Sequence, residues 1–352
     1  MYKLISVFIA MVLLTFSASA QSYQLVWSDE FNDTALNDFI WKYETGNNNG
    51  WGNNEWEYYT NNPRNVSLSD GKLVINAVKE SYQGFQYTSA RVLTRISWKY
   101  GKIEAKIKLP YGQGIWPAFW MLGSNIISVG WPKCGEIDIM EMIGGQDREN
   151  TAYGTLHWDS NGHQSKGSSY KFPNGKLSDD FHVYTIEWDS QKIIWYVDGL
   201  LYYLLPFTPT MSAFQAPFFI ILNLAVGGNW PGYPDNTTVF PQTMTVDYVR
   251  VYQMTTDVSD SPSINSYFSL EQNYPNPFNP DTVIKYSIAD AGNVTLKIFD
   301  LLGREVAQLV NKYHEIGNFS VNFNASKLSA GVYIYTLSSG TLNQSKKSIL
   351  LK

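Results

Sequence analysis

The sequence predicts an all-β protein: a two-sheet sandwich, then a polar linker, then a smaller all-β module. Three observations carry this. Short segments that alternate apolar and polar residues recur from Gln21 to about Gln253, the period-2 mark of a strand with one face buried. No segment keeps a helical period for more than a few turns. The alternation breaks off once, over 254–268, where Thr-Thr-Asp-Val-Ser-Asp-Ser-Pro-Ser reads as a linker, and short alternating strands then resume to the end. So many strands within 21–253 favour two packed sheets over one.

Taken in order, residues 1–20 read as a secretory signal. Lys3 supplies the positive start, Leu4 to Phe16 an apolar run, and Ala18-Ser19-Ala20 a small-residue cleavage site. The run is short for a membrane span and no other reaches the length needed, so no span is expected in the mature chain. No cysteine follows the cleavage site, which argues against a lipid anchor. Leu73 to Ala77 and Ile103 to Leu109 then alternate as strands. Ile193 to Val197 runs into Asp198-Gly199, a hairpin signal, with Leu200 to Tyr203 returning. Phe218 to Val226 is an apolar strand closed by Gly227-Gly228, and Thr243 to Tyr252 alternates again. After the linker, residues 269–352 contain the strands Ile284/Tyr286/Ile288, Val294/Leu296/Ile298, Val321/Phe323 and Val332 to Leu337, with no cluster of candidate catalytic groups.

Composition narrows the function classes. The chain has 352 residues and a net charge of −5, so nucleic acid is a poor partner. A single cysteine, Cys134, excludes an intrachain disulfide and a cysteine-based metal site. The four histidines show no H-E-x-x-H spacing. Gly112-Gln113-Gly114 lacks the third glycine and the following helix of a nucleotide loop, and reads as a turn. Twelve Trp and 24 Tyr suit stacking on flat faces such as sugar rings.

The chemistry concentrates in Cys134-Gly135-Glu136-Ile137-Asp138-Ile139-Met140-Glu141, an apolar strand with three carboxylates in six positions. Glu136 and Asp138 share a face, whereas strict alternation would turn Glu141 into the core. A buried unpaired carboxylate is costly. One extra residue near Ile139-Met140, a β-bulge, returns Glu141 to the face of Glu136. Cα atoms four ladder positions apart are about 13 Å from each other. Inward-reaching glutamates on a concave sheet close that gap towards the roughly 5–5.5 Å of a retaining glycosidase. The competing explanation is a strand that merely wets an acidic face. Around it, Trp116, Trp120 and Trp131 are candidate platforms for sugar rings, Asn54 and Arg91 candidates for hydroxyl recognition, and His157 is expected on the next strand near Glu141.

These residues also carry a resemblance. Leu25-Val26-Trp27-Ser28-Asp29-Glu30-Phe31, Gly50-Trp51-Gly52-Asn53-Asn54-Glu55, Ser89-Ala90-Arg91, Gly114 to Met121, Gly135 to Glu141 and Asp247 to Tyr252 occur in an order that resembles glycoside hydrolase family 16. Within it, residues 23–253 are most similar to the bacterial laminarinase-type endo-β-1,3-glucanases. The resemblance implies a β-jelly-roll with a concave substrate cleft and no cofactor for catalysis. It implies Glu136 as nucleophile, Glu141 as general acid/base, and Asp138 between them tuning their protonation. It further implies a structural calcium ion held by Glu30, the Gly71 carbonyl and Asp247. Its substrate would be a β-glucan. Mixed-linkage glucanase, agarase or carrageenase activity stays open, as does a non-catalytic β-glucan-binding protein, against which the three acids argue.

Residues 269–352 resemble the C-terminal sorting domain of the type IX secretion system, through Asn273 to Pro280, Leu301 to Val306 and Ser329 to Tyr333. This implies a small immunoglobulin-like β-sandwich that engages the secretion machinery as an address tag; a generic β-module acting as spacer or carbohydrate binder stays open. The enzyme is expected to be a monomer, secreted or at the cell surface after cleavage near Ala20.

Overall fold

Alternating side chains along each strand, apolar inward, build two sheets around one core in the first part of the chain. The computed structural model describes residues 22–38, 40–145, 147–255, 268–288, 291–340 and 342–351. The expected signal segment lies outside them, as does the linker from 256 to 267. Described residues up to 255 form one compact unit and those from 268 a second. Among the described residues, helix is limited to the α-turn Ile126–Val129 and two 3-10 stretches, and no helix is long and apolar enough to cross a membrane.

The sheet that carries the acids has seven strands. Their order is His163–Lys171, Thr151–Asp159, Glu136–Glu141, Ile115–Gly123, Phe218–Val226, Arg91–Thr94 and Trp41–Glu44, all antiparallel. The second sheet has ten strands, running from Leu200–Pro206 through His182–Trp188, Gly101–Lys108 and Gln242–Thr255 to Lys72–Tyr82, Phe85–Ser89 and Glu57–Tyr59. Ile103, Ala105 and Ile107 of the second sheet meet Phe119, Met121, Ile137 and Leu222 of the first in the core between them. Strand Gln242–Thr255 continues two residues past the expected boundary at 253, because Ser22 still pairs with Thr255. Asp198 and Gly199 both have positive φ, 49° and 76°, the turn that a two-residue hairpin requires.

Strand His163–Lys171 has no counterpart in the sequence reading. It lies at the sheet edge and is exposed along most of its length, so no apolar alternation marks it.

Among the described residues the second unit contains seven strands. Ser269–Leu270, Asp281–Ile288 and Gly317–Asn324 form one sheet; Glu305–His314, Gly292–Asp300, Gly331–Ser339 and Leu342–Leu350 form the other. Ile284, Ile288, Leu296, Ile298, Tyr335 and Leu337 fill its own core, as expected of a small β-sandwich.

Candidate active site

Strand Glu136–Glu141 contains the bulge that the parity of its acids demands. Asp138 pairs with Thr155 and Glu141 with Tyr153, so two residues, Ile139 and Met140, stand opposite Gly154 alone. Both are buried in the core, with Ile137 before them. Glu136, Asp138 and Glu141 consequently line one cleft.

The bulge is held from behind. The Trp195 indole, on the opposite sheet, donates to the Asp138 carbonyl at 2.8 Å. Gly154 makes room for it: a Cβ there would lie 2.5 Å from both the Trp195 ring and the Tyr202 hydroxyl.

On the cleft side each acid has a different neighbourhood. Glu136 accepts from the Trp131 indole at 2.9 Å, and His157 Nε2 lies 3.9 Å from its other oxygen. Asp138 is 3% exposed; among the described residues its Oδ2 has no hydrogen-bond partner, and it sits 3.3 Å from His157 Nε2. Glu141 accepts from the Trp116 indole at 3.0 Å. Burial, then the charge of Asp138, pushes the Glu136 carboxyl up to about 8, opposed by His157 and Trp131. Burial raises Asp138 to about 8 as well. Glu141 is held well above the usual carboxylate range by burial, then by Asp138 and Glu136. Their protons belong to one interacting set.

His157 corrects one expectation. It pairs with Glu136 rather than lying beside Glu141, because the antiparallel neighbour brings its C-terminal end to the start of the acidic strand. Tyr153 occupies the place opposite Glu141. His157 Nδ1 is 2.8 Å from His163 Nε2, and the two rings stack at 5.1 Å. His163, from the edge strand, is a cleft residue the sequence reading missed.

Strand Ile115–Gly123 sends Trp116, Ala118, Trp120 and Leu122 into the cleft and Ile115, Phe119 and Met121 into the core. The cleft encloses about 1060 Å³ and is also lined by Trp131, Arg91, Trp51, Asn223 and Trp230. Arg91 is fixed rather than free. Its Nε lies 2.6 Å from Glu44, and its guanidinium rests over Trp51 at 4.5 Å and Trp120 at 4.9 Å. The Trp120 indole donates to Asn223 at 2.7 Å, Asn223 donates to the Tyr59 hydroxyl at 3.1 Å, and Tyr59 donates to Glu55 at 3.3 Å. Asn223 had a signal: it is the one polar residue in the run Phe218–Val226. Glu57, fully buried, accepts from the Val226 N–H at 2.7 Å. Burial, then the neighbouring Glu55, raises its carboxyl well above the usual carboxylate range.

Asn54 does not line the cleft. It donates to Asn229 at 2.8 Å, tying two loops together, while Asn53 reaches the cleft wall. Cys134 is buried, and its thiol is pushed to about 11 by burial, which leaves it without nucleophilic character.

The expected calcium ligands lie away from the cleft. Both Glu30 carboxylate oxygens accept from Arg250, at 2.8 and 2.9 Å, and Asp247 holds Lys106 at 2.8 Å. As arranged, the Glu30 side chain does not fit a calcium ion, and Asp247 fits one only with Lys106 displaced. Among the described residues, the cluster with metal-ligand proximity is Glu136, Asp138 and His157.

Comparison with known proteins agrees with this geometry. Residues 52–250 match the profile of glycosyl hydrolases family 16, and residues 272–351 that of a secretion system C-terminal sorting domain. The clotting factor G alpha subunit of Tachypleus tridentatus is 38% identical over 323 residues, 88% of this chain and 44% of that protein. The chain thus spans less than half the length of that relative. A beta-glucanase of Rhodothermus marinus is 42% identical over 255 residues, 67% of this chain and 87% of that protein. Among solved structures, the laminarinase catalytic domain from Thermotoga maritima MSB8 superposes with a TM-score of 0.62 at 50% identity, covering 66% of this chain and 99% of that one. With a matched profile over more than half its length and three acids aligned on a bulged cleft strand, the chain belongs to glycosyl hydrolases family 16.

Proposed function

We propose that the protein is a secreted, retaining endo-β-1,3-glucanase. The observation that carries this is the placement of Glu136 and Glu141 on one face of one bulged strand, each with its own neighbours. Burial and the charge of Asp138 raise both carboxyls, and Glu141 feels the charge of Glu136 as well, which favours Glu141 as the protonated acid. Different environments thereby assign the acid and the nucleophile.

Ionised Glu136 attacks the anomeric carbon, forming a glycosyl ester as the glycosidic C–O bond breaks. Glu141 gives its proton to the departing oxygen. Glu141, now a carboxylate, takes a proton from water, whose oxygen displaces Glu136 and releases the sugar. Asp138 couples the two through its shared titration, and His157 Nε2 lies 3.3 Å from Asp138 and 3.9 Å from Glu136. No cofactor enters these steps. Trp116, Trp120 and Trp131 provide faces for glucosyl rings, and Arg91, fixed between Trp51 and Trp120, a donor for hydroxyls.

Product analysis on laminarin, lichenan and agarose tests the linkage. Turnover of agarose without laminarin would overturn it. Proton NMR of the first-formed reducing end tests the stereochemistry: a β-anomer is expected, and an initial α-anomer would remove Glu136 as nucleophile.

The sorting domain assigns the protein to the cell exterior or surface. Within that assignment we propose cleavage of the leader near Ala20, a catalytic domain over 21–253, type IX export through 269–352, and a monomer. For calcium we propose stabilisation alone, by an ion that displaces Lys106 from Asp247. EDTA should then lower the Tm while the folded fraction keeps its kcat. An unchanged Tm would overturn this and leave Arg250 and Lys106 as the counter-charges of Glu30 and Asp247.

A further inference from the structure

Outside the cleft, five aromatic side chains gather in two neighbouring groups on the outer surface of the catalytic unit. Trp56 and Tyr233 stack with centroids 4.0 Å apart and planes 18° from parallel. Two residues on, Tyr58 also faces outward, since Glu55, Glu57 and Tyr59 between and beside them are buried; it packs against Tyr82 at 5.3 Å and Phe85 at 5.5 Å. The buried Tyr87 lies along Trp56 at 6.3 Å, but the outer rings stay open to solvent. Trp56 is 43% exposed, Tyr82 41% and Tyr233 39%. None of the five lines the catalytic cleft.

The group of Trp56 and Tyr233 is nevertheless continuous with the cleft. Gly227 and Gly228 lie between them, with φ of 76° and 137°. A Cβ on Gly227 would come within 2.8 Å of the Tyr233 ring and 3.4 Å of Trp56. A Cβ on Gly228 would come within 3.3 Å of the Trp116 ring and of the Asn53 carbonyl. Two side-chain-free residues therefore let the outer stack and the cleft wall approach opposite sides of one thickness of backbone. That backbone is itself pinned, since the Trp56 N–H donates to the Val226 carbonyl and Glu57 accepts from the Val226 N–H. The arrangement is rigid, apolar in its faces and polar only at its phenol edges. Such a strip suits the flat C–H faces and hydroxyl rims of a sugar chain.

We propose that Trp56 and Tyr233, continued by Tyr58, Tyr82 and Phe85, form a second glucan-binding surface that holds a long β-1,3-glucan chain where it leaves the cleft. The ligand rests on the substrate reading above. The surface acts on polymer only, because an oligosaccharide short enough to fit the cleft does not reach it. Its effect is retention: a chain cut in the cleft stays attached through its flank, and the effective concentration of the next bond rises.

The test uses the full chain with Trp56→Ala and Tyr233→Ala, singly and together. Binding to insoluble linear β-1,3-glucan is measured in a Glu136→Gln background, and kcat/KM on laminaritetraose with Glu136 intact. The double variant should bind polymer roughly tenfold more weakly, as expected for the loss of aromatic contacts worth about 1.4 kcal/mol, with laminaritetraose turnover unchanged. Trp56→Phe, which keeps a ring, should retain most of the binding. Should the double variant fail to fold, Tyr82→Ala at the far end should still weaken polymer binding. Unchanged polymer binding overturns the proposal. So does a parallel fall in laminaritetraose turnover, which would place these residues in the cleft. A wild-type dimer that the double variant converts to monomer would show that the occupant is a second copy of the chain. If the wild type turns over no β-1,3-linked oligosaccharide, the substrate reading fails, and that failure is visible before any variant is made.

Discussion

Asp138 shows what the site costs the fold. Its carboxyl is almost fully enclosed, one oxygen lacks a hydrogen bond among the described residues, and burial raises it to about 8. An unfolded aspartate titrates near 3.9. A carboxyl raised in the folded state contributes stability that is fully present below the unfolded value and is lost as pH climbs through the folded one. Between pH 4 and 8 the wild type therefore gives up stability at this position. Asp138→Asn mimics the protonated form and does not titrate, so it should match the wild-type Tm near pH 4 and exceed it at pH 8. Each kcal/mol recovered is worth about 2–4 °C for a domain of this size. Melting curves across that range decide it, and a Tm difference independent of pH would contradict the burial argument. Activity should fall in the same variant, since the set of protons shared by Glu136 and Glu141 is broken.

At the scale of elements, the bulged strand is the device that joins fold to chemistry. Removing Met140 alone leaves Glu136-Ile137-Asp138-Ile139-Glu141, in which all three acids still alternate onto one face. The cost is the packing of a fully buried methionine, about 2–5 kcal/mol for such a loss, and some activity should survive in the folded fraction. Removing Ile139 and Met140 together shifts Glu141 by an odd count and turns it into the core, so no activity should remain. Comparing the two deletions for Tm and turnover separates stability from parity. The support behind the bulge gives a second prediction. Gly154→Ala would force its new methyl against Trp195 and Tyr202, an overpacking that costs about 1–3 kcal/mol. Urea unfolding should show that loss, with kcat reduced as the Trp195 contact to the Asp138 carbonyl shifts. Wild-type stability in this variant would mean that the wall behind the strand can relax.

For the whole molecule, two cores rather than one follow from the residue distribution. Among the described residues, the buried members of the core that supports the acids run from Phe31 to Val251, and those of the second core from Leu270 to Leu350. A chain ending after Thr255 keeps the pairing of Ser22 with Thr255, and should hydrolyse a short soluble glucan with unchanged kcat while failing to be exported by the type IX route. A large fall in kcat on removing 268–352 would give the C-terminal unit a part in the chemistry.

The sequence by itself determined the strands with one wet face, the hairpin at Asp198-Gly199, the two β units, and the acid triplet with its bulge. Each of these is a local pattern: period-2 alternation, a turn dipeptide, or the parity of three carboxylates along one strand. Tertiary structure decided the rest. His163 meets His157 only because a polar edge strand folds back beside it. Asn223, Tyr59 and Glu55 form one line to Trp120 across more than 160 residues of chain. Asn54 reads like a cleft residue, yet its amide is taken by Asn229 from a distant loop. The calcium ligands expected from resemblance are met by Arg250 and Lys106, which no spacing in the sequence announces. Strand periodicity states which way a side chain points; which partner waits there is set by sheet order, and sheet order is a property of the whole chain.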